Sequence, residues 1–283
     1  MIKIVTDSTC DLPLSLLHRH DIRVVPINIQ FGTEVYEEGI TIDRTSFYRK
    51  VDELEMIPTT SQPSVGRFAQ VYREMAAEGV ETILSIHATA KLSGTYQSSE
   101  LARQIVADEV TVHSFDSACG SAALGFMVLE GARMAEAGES ATSILQRWEE
   151  IRPRMRILFT MADLRYAKMS GRVGKLQSTL ASVLNIKPIV GLEDGVVDVV
   201  GQVRTRKKAV ERILALMKEE VGTTEAVNLA VVHAQVPQEG QDLLEQARRV
   251  FNCQDTFVEN LAISLAAQFG PGTLGLMGYR IGE

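Results

Sequence analysis

The chain has 283 residues, 45% of them hydrophobic and 23% charged, which excludes disordered and fibrous classes and suits one large α/β unit or two lobes. With 29 basic against 36 acidic residues the net charge is −7, which argues against nucleic acid or an anionic membrane as the main partner, because both demand a basic face. Cys10, Cys119 and Cys253 are odd in number and far apart, so neither a disulfide framework nor a paired metal motif is expected, and a reducing cytoplasm fits.

Met1 to Ser8 is too short an apolar run for a signal peptide, and no segment approaches the ~20 apolar residues of a membrane span, so an integral membrane protein is not expected. Ile2 to Thr6 predicts a strand, and after Asp7-Ser8-Thr9, Pro13 opens a helix carrying Leu14, Leu16 and Leu17. Val24 to Ile29 predicts a second strand. Asp43 can cap a helix holding Phe47, Tyr48 and Val51. The two prolines of Pro58-Thr59-Thr60-Ser61-Gln62-Pro63 enforce an extended segment, and Ser64 begins a helix with Phe68, Val71, Tyr72 and Met75 on one face. Thr82 to Ile86 is β-prone, and beyond Leu92-Ser93-Gly94 the apolar residues Leu101, Ile105 and Val106 take a helical period. Val110 to Phe115 predicts a strand that ends in Asp116-Ser117, before a small-residue helix around Ala122 to Ala137.

The second half differs in texture. Ile157 to Met161 predicts a strand, Leu164 to Met169 a short helix, and Ser170-Gly171-Arg172-Val173-Gly174 a flexible loop. Asp194-Gly195 between the β-prone runs Ile189 to Leu192 and Val196 to Val203 signals a hairpin. A helix from Arg206 to Val221, a strand from Val227 to His233, a helix from Pro237 to Val250 and a strand from Thr273 to Ile281 complete the pattern. Alternating strands and helices predict an α/β fold with a largely parallel sheet, whose ligand sites lie at the carboxyl ends of strands. Asp7-Ser8, Ser93-Gly94 and Asp116-Ser117 each follow a strand, so these three polar turns are expected at one rim.

Ser93-Gly94 carries the sharpest chemical signal. At a strand-to-helix turn the first N–H groups lack partners, the helix dipole favours negative charge, and glycine lets the main chain approach a ligand. Two readings stay open for Ser93: it caps the helix, or it holds an anion. Gly270-Pro271-Gly272-Thr273-Leu274-Gly275 fits GxGxxG, yet a dinucleotide site must open a helix, and a strand is expected here, so a tight turn is preferred. His18 and His20 read as solvated; His87, six residues before Ser93, reads as a structural histidine or as the base of a Ser-His pair assisted by Asp7 or Asp116. Arg204-Thr205-Arg206-Lys207-Lys208 is either a solvated helix start or a docking patch. Metal ligand spacing is absent.

Val5-Thr6-Asp7-Ser8-Thr9, Thr59-Thr60-Ser61-Gln62-Pro63-Ser64, Leu92-Ser93-Gly94-Thr95-Tyr96-Gln97, Ser170-Gly171-Arg172 and Gly270-Pro271-Gly272-Thr273-Leu274-Gly275 follow in order across almost the whole chain. Together they resemble the DegV family of fatty-acid-binding proteins. That resemblance implies one DegV-type domain of two α/β lobes, approximately 1–155 and 156–283, with a mostly parallel sheet in the first, a mixed sheet in the second and a ligand between them. It further implies a cytoplasmic carrier without catalytic residues, metal or cofactor, whose bound ligand is a long-chain fatty acid. Some members serve as the acyl-carrying subunit of a bacterial fatty acid kinase, in which an ATP-dependent partner subunit phosphorylates the bound carboxylate to an acyl phosphate.

By the same resemblance Thr60 and Ser93 match hydroxyls that hold the carboxylate, with Ser61 and Gly94 beside them, and Arg204 aligns with a basic position implicated in kinase docking. Gln268 stands where many members carry a histidine, and Ala88-Thr89-Ala90-Lys91 replaces a stretch that is usually small and polar. Glutamine can hydrogen-bond but cannot become cationic. Lys91 either pairs with an anion or, as preferred here, points to water. A sixteen-carbon tail offers roughly 12 kcal/mol of gross burial energy at about 0.8 kcal/mol per methylene, so the tail would supply most of the affinity and the hydroxyls would satisfy the head group. The competing readings are a serine-nucleophile acyl hydrolase or transferase centred on Ser93, and a phosphate-binding module without lipid.

Overall fold

The computed structural model describes residues 1–171 and 186–282, which form two compact units. One comprises Met1–Gly120 and Leu124–Pro153; the other comprises Ser121–Ala123 and the chain from Arg154 on.

In the first unit β1 (Ile2–Asp7), β2 (Arg23–Val25), β6 (Thr82–His87) and β7 (Thr111–Asp116) make a fully parallel sheet in the order β2-β1-β6-β7. Their burial follows from that pairing: β6 is buried from Ile83 to His87, on both faces, as parallel strands covered by helices must be. The single strand expected from Val24 to Ile29 is broken around Pro26, whose missing N–H cannot join a ladder. Arg23–Val25 stays in the parallel sheet, while β3 (Asn28–Phe31) starts a separate antiparallel sheet with β4 (Glu34–Glu37) and β5 (Thr59–Ser61), ordered β4-β3-β5.

Several helices of this unit begin at side-chain caps. Asp43 accepts the Ser46 N–H before α2 (Arg44–Leu54), and Ser64 accepts the Arg67 N–H before α3 (Val65–Ala77). Preceding both is α1 (Leu14–Arg19), opened by Pro13. On α3 the expected face of Phe68, Val71, Tyr72 and Met75 is buried, packed with Val5, Ile83 and Val112 of the sheet. For α4 (Thr95–Ile105) the expected apolar face holds only at Val106, which is fully buried: Leu101 and Ile105 are 51% and 55% exposed, and the buried face within the helix is Thr95, Ser98, Ser99 and Ala102. Ser99 meets the hydroxyls of Tyr72 and Ser114 there, while Ala102 and Val106 join the apolar core. After α5 (Ser121–Glu136) the chain adds a helix not anticipated above, α6 (Ala141–Ile151), which Ser140 caps. It buries Ile144, Trp148 and Ile151, and Trp148 Nε1 donates to the Met127 carbonyl at 2.7 Å.

The second unit has a mixed six-stranded sheet ordered β10-β9-β8-β13-β11-β12. Its strands are β8 (Arg156–Thr160), β9 (Lys187–Glu193), β10 (Val196–Val203), β11 (Ala226–His233), β12 (Asn252–Asn260) and β13 (Leu274–Arg280). Only β11 and β12 pair in parallel; β9 and β10 form the expected hairpin at Asp194-Gly195, where both residues have positive φ. Between them lie α7 (Leu164–Ser170), α8 (Arg206–Val221), α9 (Pro237–Val250) and α10 (Ile263–Phe269). Ile213 and Met217 of α8 and Leu243 and Ala247 of α9 close over Leu229, Val231, Leu274 and Leu276 of the sheet. Ser170 ends α7 and Gly171, at φ +69°, terminates it; Arg172, Val173 and Gly174 of the expected loop lie outside the described residues. The chain is thus α/β, with a parallel sheet in its N-terminal part and a mixed sheet in its C-terminal part.

Candidate functional site

Because β1, β6 and β7 are adjacent and parallel, their carboxyl ends fall on one rim, and the three polar turns meet there. Asp7 at the end of β1 accepts the Ala88 N–H at 3.0 Å, and Asp116 at the end of β7 accepts the Ala90 and Ala118 N–H groups at 3.1 and 2.9 Å. Ser117 Oγ donates to the His87 carbonyl at 2.7 Å, and the Thr89 N–H donates to Cys119 O at 2.8 Å. The turn leading to Ser93 is therefore held from both sides. It then closes on itself, since the Leu92 and Ser93 N–H groups both donate to Thr89 O.

Ser93 itself is not the cap. Gly94 occupies the N-cap position of α4 with no side-chain cap bond, and Ser93, one residue earlier, accepts the Thr95 N–H at 3.3 Å while its Oγ lies 2.8 Å from Thr95 Oγ1. The half-buried hydroxyl of Ser93 thus stands beside the first turn of α4, where the Tyr96 and Gln97 N–H groups have no acceptor within the helix. That combination suits a small anion. The side chain of Gln62 packs over Gly94: a Cβ there would lie 2.9 Å from Gln62 Cδ and would displace that carboxamide. This contact joins the second predicted segment to the first. Thr60, half-buried, sits on β5 opposite Ile29 of β3; Ser61 is exposed opposite Asn28, whose side-chain amide donates to Gln62 O at 3.1 Å. Lys91 is exposed.

The support expected for a nucleophilic Ser93 is absent. Both ring nitrogens of His87 are engaged elsewhere, Nδ1 by Asp7 at 3.1 Å and Nε2 by Ser85 Oγ at 2.7 Å, and the ring is wholly buried against Phe68. Asp116 is occupied by two backbone N–H groups. His87 is a structural histidine, and no base faces the Ser93 hydroxyl through it. His20 also departs from expectation: its side chain is only 10% exposed and its Nδ1 meets Glu136 at 2.9 Å. Burial pushes the Cys119 thiol up to about 12, so it is an inert core group.

The remaining predicted residues lie in the second unit. Gln268 is buried on α10, and Arg204 is exposed where β10 leads into α8; the two occupy different elements. Thr205 caps α8 through the Lys208 N–H, and Arg206 pairs with Glu239 at 2.7 Å. A groove of about 330 Å³ beside that pair mixes Arg206 and Lys207 with Glu211, Glu239 and Asp242, a lining too acidic to favour an anion. At Gly270-Pro271-Gly272 both glycines have positive φ and pack against Tyr166 and Ala162, and β13 follows. The GxGxxG match is a turn, not a nucleotide cradle. Among the described residues no cluster of three or more His, Cys, Asp or Glu could hold a metal, and no helix is long and apolar enough to cross a membrane.

Fold and rim define an α/β protein of two sheet units that presents hydroxyls and helix-start N–H groups at parallel strand ends. The chain belongs to the DegV family, described as "Uncharacterised protein, DegV family", which matches residues 1–280. A DegV domain-containing protein of Halalkalibacterium halodurans is 34% identical over 278 residues, 98% of each chain. Among solved structures, a DegV family protein from Thermus thermophilus described by its fatty acid binding is 35% identical with a TM-score of 0.91, and 99% of each chain is covered. DegV of Bacillus subtilis, described as a fatty acid binding protein, is 31% identical with a TM-score of 0.90, again over 99% of each chain.

Proposed function

We propose that this chain binds a long-chain fatty acid, with Ser93 and Thr60 as hydroxyl donors to the carboxylate and Ser61 and Gly94 shaping the approach. The observation that carries the reading is the Ser93 hydroxyl beside the open first turn of α4, tied to the Thr60 segment through the Gln62–Gly94 contact. Fatty acid binding by the relatives of known structure supports the choice of anion. Neutral donors suit a carboxylate drawn into a semi-dry site, because they satisfy its lone pairs without the desolvation cost of a buried cation.

The chain acts as a carrier in this reading, not as a catalyst, and works in the cytoplasm. It presents the carboxylate to an ATP-dependent kinase subunit that forms the acyl phosphate, with exposed Arg204 as a docking residue. Gln268 takes the place of a histidine and offers a hydrogen bond whose strength does not vary with pH.

Native mass spectrometry with lipid extraction tests the reading: one fatty acid per chain should co-purify, and repeated preparations free of lipid would count decisively against it. Ser93→Ala and Thr60→Ala should each keep the fold and weaken palmitate binding about tenfold or more, since a hydrogen bond to a charged group is worth about 1.5–3 kcal/mol. Parental affinity in both variants would move the carboxylate site elsewhere.

A further inference from the structure

Behind the Ser93 turn runs an unbroken chain of buried polar groups. Asp7 Oδ2 lies 3.1 Å from His87 Nδ1, and His87 Nε2 lies 2.7 Å from Ser85 Oγ. Ser85 Oγ is 2.7 Å from the Tyr72 hydroxyl, which is 2.8 Å from Ser99 Oγ, itself 2.8 Å from Ser114 Oγ. Asp7, Tyr72, Ser85, His87 and Ser99 are all 0% exposed. The Asp–His–Ser order has the outline of a nucleophilic triad, but Ser85 is sealed from any substrate and its oxygen is shared between His87 and Tyr72.

With a neutral imidazole at His87, the hydrogen bonds run in one direction along this chain. Asp7 accepts the Thr9 N–H through Oδ1 and the Ala88 N–H through Oδ2, and these bonds suit an ionised, acceptor-only carboxylate. His87 must then donate from Nδ1, and in the neutral ring Nε2 is left to accept from Ser85. Ser85 oxygen consequently accepts from Tyr72, Tyr72 from Ser99, and Ser99 from Ser114. One proton placement runs from β7 through α4 and α3 to β6 and β1.

Both flanks of Ser93 hang on that chain. The Asp7 end holds Ala88, where the Ser93 turn begins; the other end holds Ser99, one turn into the helix that the Ser93 turn starts. Ala102 and Val106 pack the C-terminal end of α4 into the core, while its first turns bury the hydroxyls Thr95, Ser98 and Ser99, so the end nearest Ser93 is seated through these bonds. We propose that Asp7 and His87 are positioning residues for the anion site: their bond sets the imidazole tautomer, the tautomer sets the direction of the hydroxyl chain, and the chain fixes Ser93 Oγ against the first turn of α4. This deepens the fatty acid reading and rests on it for the identity of the anion.

Three readouts on the full chain test the proposal: the ¹⁵N shifts of the His87 ring, amide exchange at Ala88 and Ser93, and palmitate titration of delipidated protein. The parent should carry its ring proton on Nδ1. Asp7→Asn should move that proton to Nε2, speed exchange at Ala88 and Ser93, and weaken palmitate binding about tenfold, the scale of one lost charge-assisted hydrogen bond. Tyr72→Phe keeps the packing and the Asp7–His87 bond but cuts the chain; it should keep the Nδ1 proton, yet speed exchange at Ser93 and weaken palmitate several-fold. Parental exchange and affinity in Tyr72→Phe overturn the proposal even if Asp7→Asn fails to fold. A tautomer that moves in Asp7→Asn without any change in exchange or affinity overturns it as well. Should the parent bind no palmitate, the lipid reading fails, while ring shifts and exchange still decide whether Asp7 and His87 position the turn.

Discussion

At the scale of single residues, small groups at the rim are constrained by what they touch. Gly94 has φ −79°, open to any residue, so what constrains it is space: the Gln62 carboxamide occupies the place of a Cβ. Gln62 is exposed and able to swing aside. Gly94→Ala should therefore leave stability within about 1 kcal/mol, the scale of an N-cap change, while displacing Gln62 from the rim. Palmitate binding should weaken several-fold while the urea midpoint stays nearly parental. A variant that loses stability and keeps its affinity would show that Gly94 serves the fold and not the site. Ser93 stood open in sequence between cap and ligand group; Gly94 occupies the cap position, which leaves the Ser93 hydroxyl beside the helix start.

Among the elements, α4 inverts the usual logic of an amphipathic helix. Its large apolar residues Leu101 and Ile105 face water, and its buried face is Thr95, Ser98, Ser99 and Ala102. Ser99→Ala should cost about 1–3 kcal/mol in urea unfolding, because the Tyr72 and Ser114 hydroxyls lose a buried partner. Leu101→Ala, larger in volume but exposed, should cost no more than about 0.5 kcal/mol. Equal costs would mean that the polar face contributes nothing. Periodicity placed Val106 correctly in the core but misread Leu101 and Ile105, because it registers apolar spacing and is blind to hydroxyls that satisfy one another. The same blindness hid β12, whose Asn252-Cys253-Gln254-Asp255-Thr256 start reads as a loop although it pairs in parallel with β11. By contrast, α6 went unassigned although its local signals stand in the sequence: Ser140 followed by Ile144, Trp148 and Ile151 is a cap and one helical face. The parallel alternation, the Asp194-Gly195 hairpin and the shared rim of Asp7, Ser93 and Asp116 were also readable, since each rests on local signals plus strand polarity. The Asp7–His87–Ser85 connection was not, because it spans residues 80 apart that meet only through β1–β6 pairing.

For the molecule as a whole, the buried carboxylate of Asp7 links stability to acid. Burial alone would push its carboxyl up, but bonds from His87, the Thr9 hydroxyl and the Ala88 N–H outweigh that effect and hold it below the ordinary value. The unfolded chain therefore takes up this proton first as pH falls. The stability Asp7 contributes is complete above its ordinary pKa of about 3.9 and drains away as pH drops through the lower native value. Glu34 and Asp43 are also held low, by the Tyr36 hydroxyl and the Ser46 N–H, but they are exposed and salt screens them. Salt consequently separates the contributions. Urea midpoints measured from about pH 5 to about pH 2.5 should fall on the acid side, and at about 0.5 M NaCl most of the remaining fall should belong to the sealed network. Asp7→Asn, although less stable throughout, should lose that salt-resistant slope, because asparagine has no proton to take up. Parallel acid limbs for parent and variant at high salt would place the acid sensitivity outside Asp7 and show that the rim is held by packing instead of by its carboxylate.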